Sequence, residues 1–452
     1  MATPRLHGAI HTGYGRDIST EFNNIYQRYI EESRSGSFQI ELEARADSRD
    51  GIAEFSEVDI TKYNSIQKIV RPLYGKGAPQ LPSIGNHPDF NHLKGSDEYE
   101  YCAITTMFMD IEGSTKLNLF YPLNEVKYIK NAIIRMTMEV IKSFDGHVHR
   151  IMGDAVMAYF GGKYISSETS IIDGINCASI LRFFIESITS PTLMSEGFER
   201  PFGIRIGLDF GMKDNVLWSS YGYPNMEEIT ATSFFVDVAS KLQHSAGKNQ
   251  IMIGDSLKSF IDIPEELLKV KTKIKSGDTV EVPYLEPNYS DSDGKKINYK
   301  QFIFNWEEYL KYSPMNYDQS NINTLTNSKI NLSIKTEVYS DKEGYCENKY
   351  DSCAYILEKD KHLKFIVNTA LLLHLRPYTL YFIVENHGME AREDCGDCCG
   401  SHESVIRVDK NDDSYTKYNW EHSMYRGLHY MTIKLRTDKG LQREIRYGLY
   451  VK

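Results

Sequence analysis

Long apolar runs are missing from this chain. The longest, around residues 369–373, fall far short of the ~20 residues that span a bilayer, so membrane insertion is not expected. The opening MATPRLHGAIHTGYGRD lacks the apolar stretch of a secretory leader, and a cytoplasmic location is the expectation. Cysteine is sparse and odd in number, seven in 452 residues, which in a reducing compartment reads as thiols and excludes a disulfide scaffold. Positive charge is also short: 52 Lys+Arg against 62 Asp+Glu leave a net charge of −10. Without a basic patch no nucleic acid is expected as a partner. A small anion remains open, provided bound cations carry it. What is present is ordinary globular material, 41% hydrophobic and 25% charged, enough for about three units of ~150 residues.

Residues 1–98 read as an N-terminal arm and connector. Within it Phe22, Ile25, Tyr26 and Tyr29 recur at helical spacing, while residues 74–90 are rich in Gly and Pro and read as extended. No chemistry is expected of this arm. Residues 99–265 alternate strand and helix patterns. A buried-strand run ends at Asp110, and Ile129, Ile133, Met136, Val140 and Phe144 then form one helical stripe. The runs HVHRIM and AVMAYF flank Gly153-Asp154 and place that dipeptide at a hairpin tip. A helix around 171–188, a strand at 203–209 and a helix over 234–246 complete the unit. This order predicts an α/β unit, an α+β sandwich of a mixed sheet flanked by helices. Residues 266–328 read as a linker around the aromatic docking segment YKQFIFNWEEYLKY. Over 329–452 short alternating runs between turn residues predict a C-terminal all-β domain.

Two carboxylates stand out by position. Asp110 ends an apolar strand and Asp154 caps the hairpin. Converging from strand ends, they would hold divalent cations able to activate an attacking oxygen and stabilise a leaving phosphate. The loop Glu112, Gly113, Ser114 and Thr115 offers backbone N–H groups to phosphate oxygens. Spacing alone equally admits two turn-forming aspartates. His147 and His149 share a face beside the hairpin and read as a solvated strand face ahead of metal ligands. Cys395, Cys398 and Cys399, with Cys346 and Cys353 elsewhere, lack a second close pair and read as loop thiols ahead of a zinc site.

These residues carry a resemblance. Phe108-Met109-Asp110-Ile111-Glu112-Gly113-Ser114-Thr115 resembles the first metal motif of the class III nucleotide cyclases, and Arg150-Ile151-Met152-Gly153-Asp154 resembles their second. The run GIRIGLDFG from Gly203 is similar to the family's following strand, and VDVASKL from Val236 to the helix bearing its transition-state residues. The resemblance implies a head-to-tail homodimer with active sites at the interface. It implies two Mn²⁺ or Mg²⁺ ions held by Asp110, the backbone carbonyl of Ile111 and Asp154. The 3′-oxygen of a nucleoside triphosphate would attack the α-phosphorus, releasing pyrophosphate. Phe108, Gly113, Ser114 and Thr115 would line the nucleotide site. Where purine cyclases place a base-reading Lys and Asp, this chain has Arg150 and Thr230. Where they place a transition-state Asn and Arg, it has Asp237 and Lys241, the second trading a planar fork for a point charge.

The C-terminal runs HLKFIVNT and RPYTLYFIVENHGMEAR, and the later Tyr418-Asn419-Trp420-Glu421-His422 with GLHYMTIKL, are similar to the AGS-C sensor domain. A cyclase joined to that domain resembles one branch of the Pycsar antiphage pyrimidine cyclases. That layout implies CTP ahead of UTP as substrate and a cyclic mononucleotide as second messenger. It also implies a separate cyclic-nucleotide-binding effector, a membrane or TIR protein. Two other readings stand beside it: a purine cyclase making cAMP or cGMP, and a degenerate cyclase serving as a ligand-sensing module.

Overall fold

The computed structural model of the chain describes residues 18–35, 65–81, 83–198, 202–315, 330, 332–396 and 400–452. Cys398 and Cys399 lie outside them. The strands of the first two thirds are β1 (Tyr99–Tyr101), β2 (Ile104–Glu112), β3 (His147–Met152), β4 (Ala155–Phe160), β5 (Gly203–Gly211), β6 (Leu217–Tyr223), β7 (Met226–Thr232), β8 (Ile251–Gly254), β9 (Leu268–Val270), β10 (Thr272–Lys275), β11 (Asp278–Glu281) and β12 (Gln301–Phe304). Seven of them form a mixed sheet in the order β3-β4-β2-β5-β8-β12-β9, antiparallel except between β5 and β8. A smaller sheet, β1-β6-β7, stands beside it.

The central strand β2 is buried on both faces, which its near-continuous apolar run anticipates. Successive side chains point to opposite faces. Met107, Met109 and Ile111 therefore join the core shared with the helices Leu123–Ser143 and Ser167–Phe184. Phe108 and Asp110 point to the other face, toward the helix Phe234–Ser245. That helix lies close on β5 because Gly207 has no side chain: a Cβ there would overlap the backbone of Ala239 and Gln243. The stripe read from sequence holds, with Ile129, Ile133, Met136 and Val140 all buried.

The C-terminal third adds β13 (Ile334–Tyr339), β14 (Asn348–Tyr350), β15 (Ile356–Leu357), β16 (His362–Asn368), β17 (Tyr378–Glu385), β18 (His402–Val408), β19 (Thr416–His422), β20 (Gly427–Thr437) and β21 (Gly440–Val451). Sheets β14-β13-β16-β19 and β15-β21-β20-β17-β18 share one core that includes Phe365, Leu380, Phe382 and Ile433. The aromatic segment of the linker forms the helix Trp306–Tyr312 and packs between the helix Ser167–Phe184 and β21. There Tyr309 donates to Asn176 Oδ1 (2.7 Å), Asn176 donates to the Cys353 carbonyl (2.8 Å), and Tyr450 donates to Tyr309 (3.2 Å). Covered on both sides, Ser167–Phe184 has no solvated face, as its apolar circumference requires.

The described residues from 74 to 87 form no helix, and the arm on either side of them packs onto the catalytic unit. Ser65–Leu73 is a helix on Leu123–Ser143, Lys76 pairs with Asp173 (2.7 Å), and Phe90 stacks on Trp218 at 4.1 Å. No helix among the described residues is long and apolar enough to cross a membrane.

Candidate active site

Two rows of side chains run across the sheet on the face of the helix Phe234–Ser245. In one, Asp110 of β2 stands opposite Ala155 of β4 and Arg205 of β5. In the next, two residues back and about 7 Å along the strand, Phe108 stands opposite Met157 and Gly207, and Met157 in turn opposite Arg150 of β3. The hairpin tip at Gly153, with φ +67, turns Asp154 toward the first row.

The first row is acidic around one cation. Arg205 grips Asp110 through two bonds, Nε to Oδ1 at 3.0 Å and a second from its Nη2 to Oδ2. The Asp110 carboxylate, with Glu112 and Asp154 nearby, pushes the Arg205 pKa further up. A positive charge thus already stands where these carboxylates meet, and the donors are oxygens, the ligands that Mg²⁺ and Mn²⁺ prefer. Among the described residues no three acidic, His or Cys side chains close into a metal cage. One or two carboxylates completed by substrate oxygens is the usual arrangement for Mg²⁺, so Asp110, Asp154 and the Ile111 carbonyl could hold such ions once Arg205 lets go. Ile111 contributes only main chain, its side chain being 2% exposed. Gly113, in the left-handed region with φ 82, caps the short helix Ser114–Phe120, with Ser114 buried and Thr115 exposed.

The second row has an aromatic floor and a polar wall. Phe108 packs against the cluster of Met157, Tyr159, Trp218 and Val236. Thr230 on β7 lies 3.3 Å from the Tyr159 hydroxyl, which is buried and has its pKa raised by that burial. Arg150 is exposed and paired with Glu228 on β7 (Nε to Oε1, 2.9 Å). Asp237 and Lys241 are not brought to either row. The helix turns Val236, Val238, Ala239 and Leu242 inward, which leaves Asp237 exposed and sets the Lys241 ammonium 5.5 Å from the Tyr289 ring.

The catalytic-domain model described as adenylate and guanylate cyclase catalytic domain matches residues 97–296, and the adenylyl/guanylyl and SMODS C-terminal sensor domain matches 304–443. A curated cytidylate cyclase of Escherichia coli is 34% identical over 95% of this chain and 91% of its own length. One of Staphylococcus aureus is 36% identical over 81% and 82%. The chain belongs to the cytidylate cyclase family. It is a nucleotide cyclase, a class III catalytic domain followed by a sensor domain. The solved adenylyl cyclase CyaB of P. aeruginosa aligns over 46% of this chain and 95% of its own at 16% identity, with a TM-score of 0.37.

Two site residues of this cyclase, Arg205 and Glu228, are not marked by the sequence, and His149 lies elsewhere than expected. Arg205 lay inside a quoted motif, and its alternation on β5 was the available signal. Glu228 had none, because the β6–β7 hairpin was not foreseen. His149 was expected on a solvated face, yet it is 2% exposed and His147 5%. Both rings donate to the Gly85 carbonyl, at 3.0 and 2.7 Å, so the arm covers that face.

Proposed function

We propose that this chain converts CTP, ahead of UTP, to the 3′,5′-cyclic mononucleotide and pyrophosphate, and that the product is a second messenger in antiphage defence. The observation that carries the reading is the pair of adjacent rows: the Asp110 carboxylate held by Arg205, beside an aromatic pocket whose polar wall is Arg150 and Thr230. The cytidylate cyclases to which the chain is related support the base. Two divalent cations, Mn²⁺ or Mg²⁺, supply charge that lowers the pKa of the substrate 3′-hydroxyl and steadies the triphosphate. Asp110, Asp154 and the Ile111 carbonyl would hold them, and Arg205, released from Asp110, would turn its charge to the phosphates. The 3′-oxygen bonds to the α-phosphorus, the bond to pyrophosphate breaks in line, and the hydroxyl proton leaves to solvent. Gly113, Ser114 and Thr115 approach the phosphates through main-chain N–H groups, and Phe108 packs the base. Asp237 and Lys241 face outward in one chain and act on the site of a second copy, in a homodimer. In the cytoplasm, a separate cyclic-nucleotide-binding effector reads the product.

Purified protein incubated with Mn²⁺ and each of ATP, GTP, CTP and UTP, with products identified by mass spectrometry, tests this. Cyclic CMP is expected, and a cyclic purine would overturn the substrate assignment. Asp110→Ala should lower activity at least about a thousandfold while the fold survives. Retained activity would refute the two-metal site.

A further inference from the structure

The wall of the base pocket continues into residues upstream of the matched catalytic domain, which begins at 97. Ile84 bridges Val148 on β3 in parallel. The next residue, Gly85, turns its carbonyl to His149 Nδ1, and Asn86 Oδ1 accepts the Ile229 N–H of β7 at 3.1 Å. The arm thereby ties together the two strands that bear Arg150 and Glu228. The Glu228 carboxylate receives both Arg150 Nε and Nη2, and its Oε1 lies 2.8 Å from His149 Nε2.

Neighbours on a regular strand point to opposite faces and cannot share one partner. His149 and Arg150 both approach Glu228, because the β3–β4 register shifts between Val148 and Arg150. A bulge of this kind re-aims a side chain. With Nδ1 donating to the Gly85 carbonyl and burial lowering the pKa of the ring, Nε2 makes no hydrogen bond among the described residues, so the Glu228 carboxylate is held by Arg150 and not by His149. His149 is enclosed, whereas Arg150 is exposed and would otherwise sample many rotamers.

We propose that the arm, held to β3 at Ile84 and to β7 at Asn86, forms with Glu228 a positioning relay that fixes the direction of Arg150, so that base selection is set in part by the arm outside the catalytic domain. The inference rests on the reading that Arg150 faces the pyrimidine. Glu228 is a positioning residue: it acts through Arg150 and not on the reacting atoms.

The test is steady-state kinetics of the full chain with each nucleoside triphosphate for Arg150→Ala, Glu228→Gln and the double variant. Glu228→Gln should raise KM for CTP about tenfold, leave kcat within about twofold and erode the preference for CTP. In the Arg150→Ala background the same change should do nothing further, since residues acting in series are not additive. Glu228→Asp, which keeps the carboxylate, should recover part of the preference. An unchanged KM in Glu228→Gln, or an equal loss with and without Arg150, overturns the relay. An Arg150→Ala variant that keeps full preference for CTP instead overturns the base reading itself, and the two failures are thereby distinct. Glu228 is a half-exposed surface residue, so its substitution is not expected to unfold the chain.

Discussion

The catalytic unit is gripped on two sides by chain that lies outside it, and the two grips use different chemistry. The N-terminal arm binds through charge and imidazole: Lys76 with Asp173 and Asp145, Arg71 with Asp145, and two histidines on the Gly85 carbonyl. The C-terminal sandwich binds at its centre through neutral hydroxyls and an amide, Tyr309, Tyr450 and Asn176, all within 1% of full burial, and at one edge through His387 on Glu266 (3.1 Å) and Arg426 on the Phe260 carbonyl. The arm touches the strand that carries Arg150, so it borders the site directly. The sandwich touches the helix Ser167–Phe184, which lies behind β2 and reaches the site only through packing: Gly174 sits against Thr105 and Leu208. Titration and salt should therefore act on the Lys76, Arg71 and His147 contacts of the first seam and on the His387–Glu266 edge of the second, and loss of a hydrogen-bond partner on the Tyr309–Asn176 centre of the second.

The strongest way to break the second seam is Asn176→Ala. It strands a buried Tyr309 hydroxyl and the Cys353 carbonyl together, at about 2–4 kcal/mol. Urea unfolding should show a lower midpoint, and a midpoint unchanged within error would deny that the Asn176 hydrogen bonds support the fold. The first seam should fail in acid. Burial holds the His147 pKa down at about 4, and that of His87, whose ring lies 5.1 Å away, likewise. A depressed histidine contributes its full stability above the ordinary value of ~6.5 and loses it as pH falls from there toward 4. Going from pH 7 to pH 5 should cost about 1–2 kcal/mol per ring. His147→Gln should flatten that slope, and a slope that stays the same would place the titration elsewhere. The Tyr309–Asn176 bonds carry no group that titrates in this range, although burial also lowers the pKa of His387 and of His429 at the edge of the sandwich. The smallest effect is Tyr309→Phe, which keeps the ring packing and removes one donor, for about 1 kcal/mol with no dependence on pH between 5 and 7. A cost that varied with pH would blur the distinction between the seams.

How far the sequence can be read follows the same division. The stripe on Leu123–Ser143, the β3–β4 hairpin and the alternation of β16 and β17 are local patterns, and each appears where its period places it. The arm between residues 74 and 93 has no period, only Gly, Pro and scattered aromatics. Its docking depends on one carbonyl meeting two rings more than 60 residues away, which no local pattern announces. The same holds for Glu228, since the β6–β7 hairpin shows no turn signal beyond Pro224-Asn225.

By itself the sequence determined the type of nearly every long element, the class of fold and the identity of the two aspartates, one two residues short of the end of β2 and one at the hairpin. Those follow from side-chain periodicity and turn chemistry, which act over a few residues. Tertiary structure alone decided that Arg205 stands on Asp110, that a one-residue bulge brings His149 and Arg150 to Glu228, and that Asp237 and Lys241 face away from their own site. Those depend on strand register and helix rotation, which are settled only when distant segments compete to bury the same apolar surface.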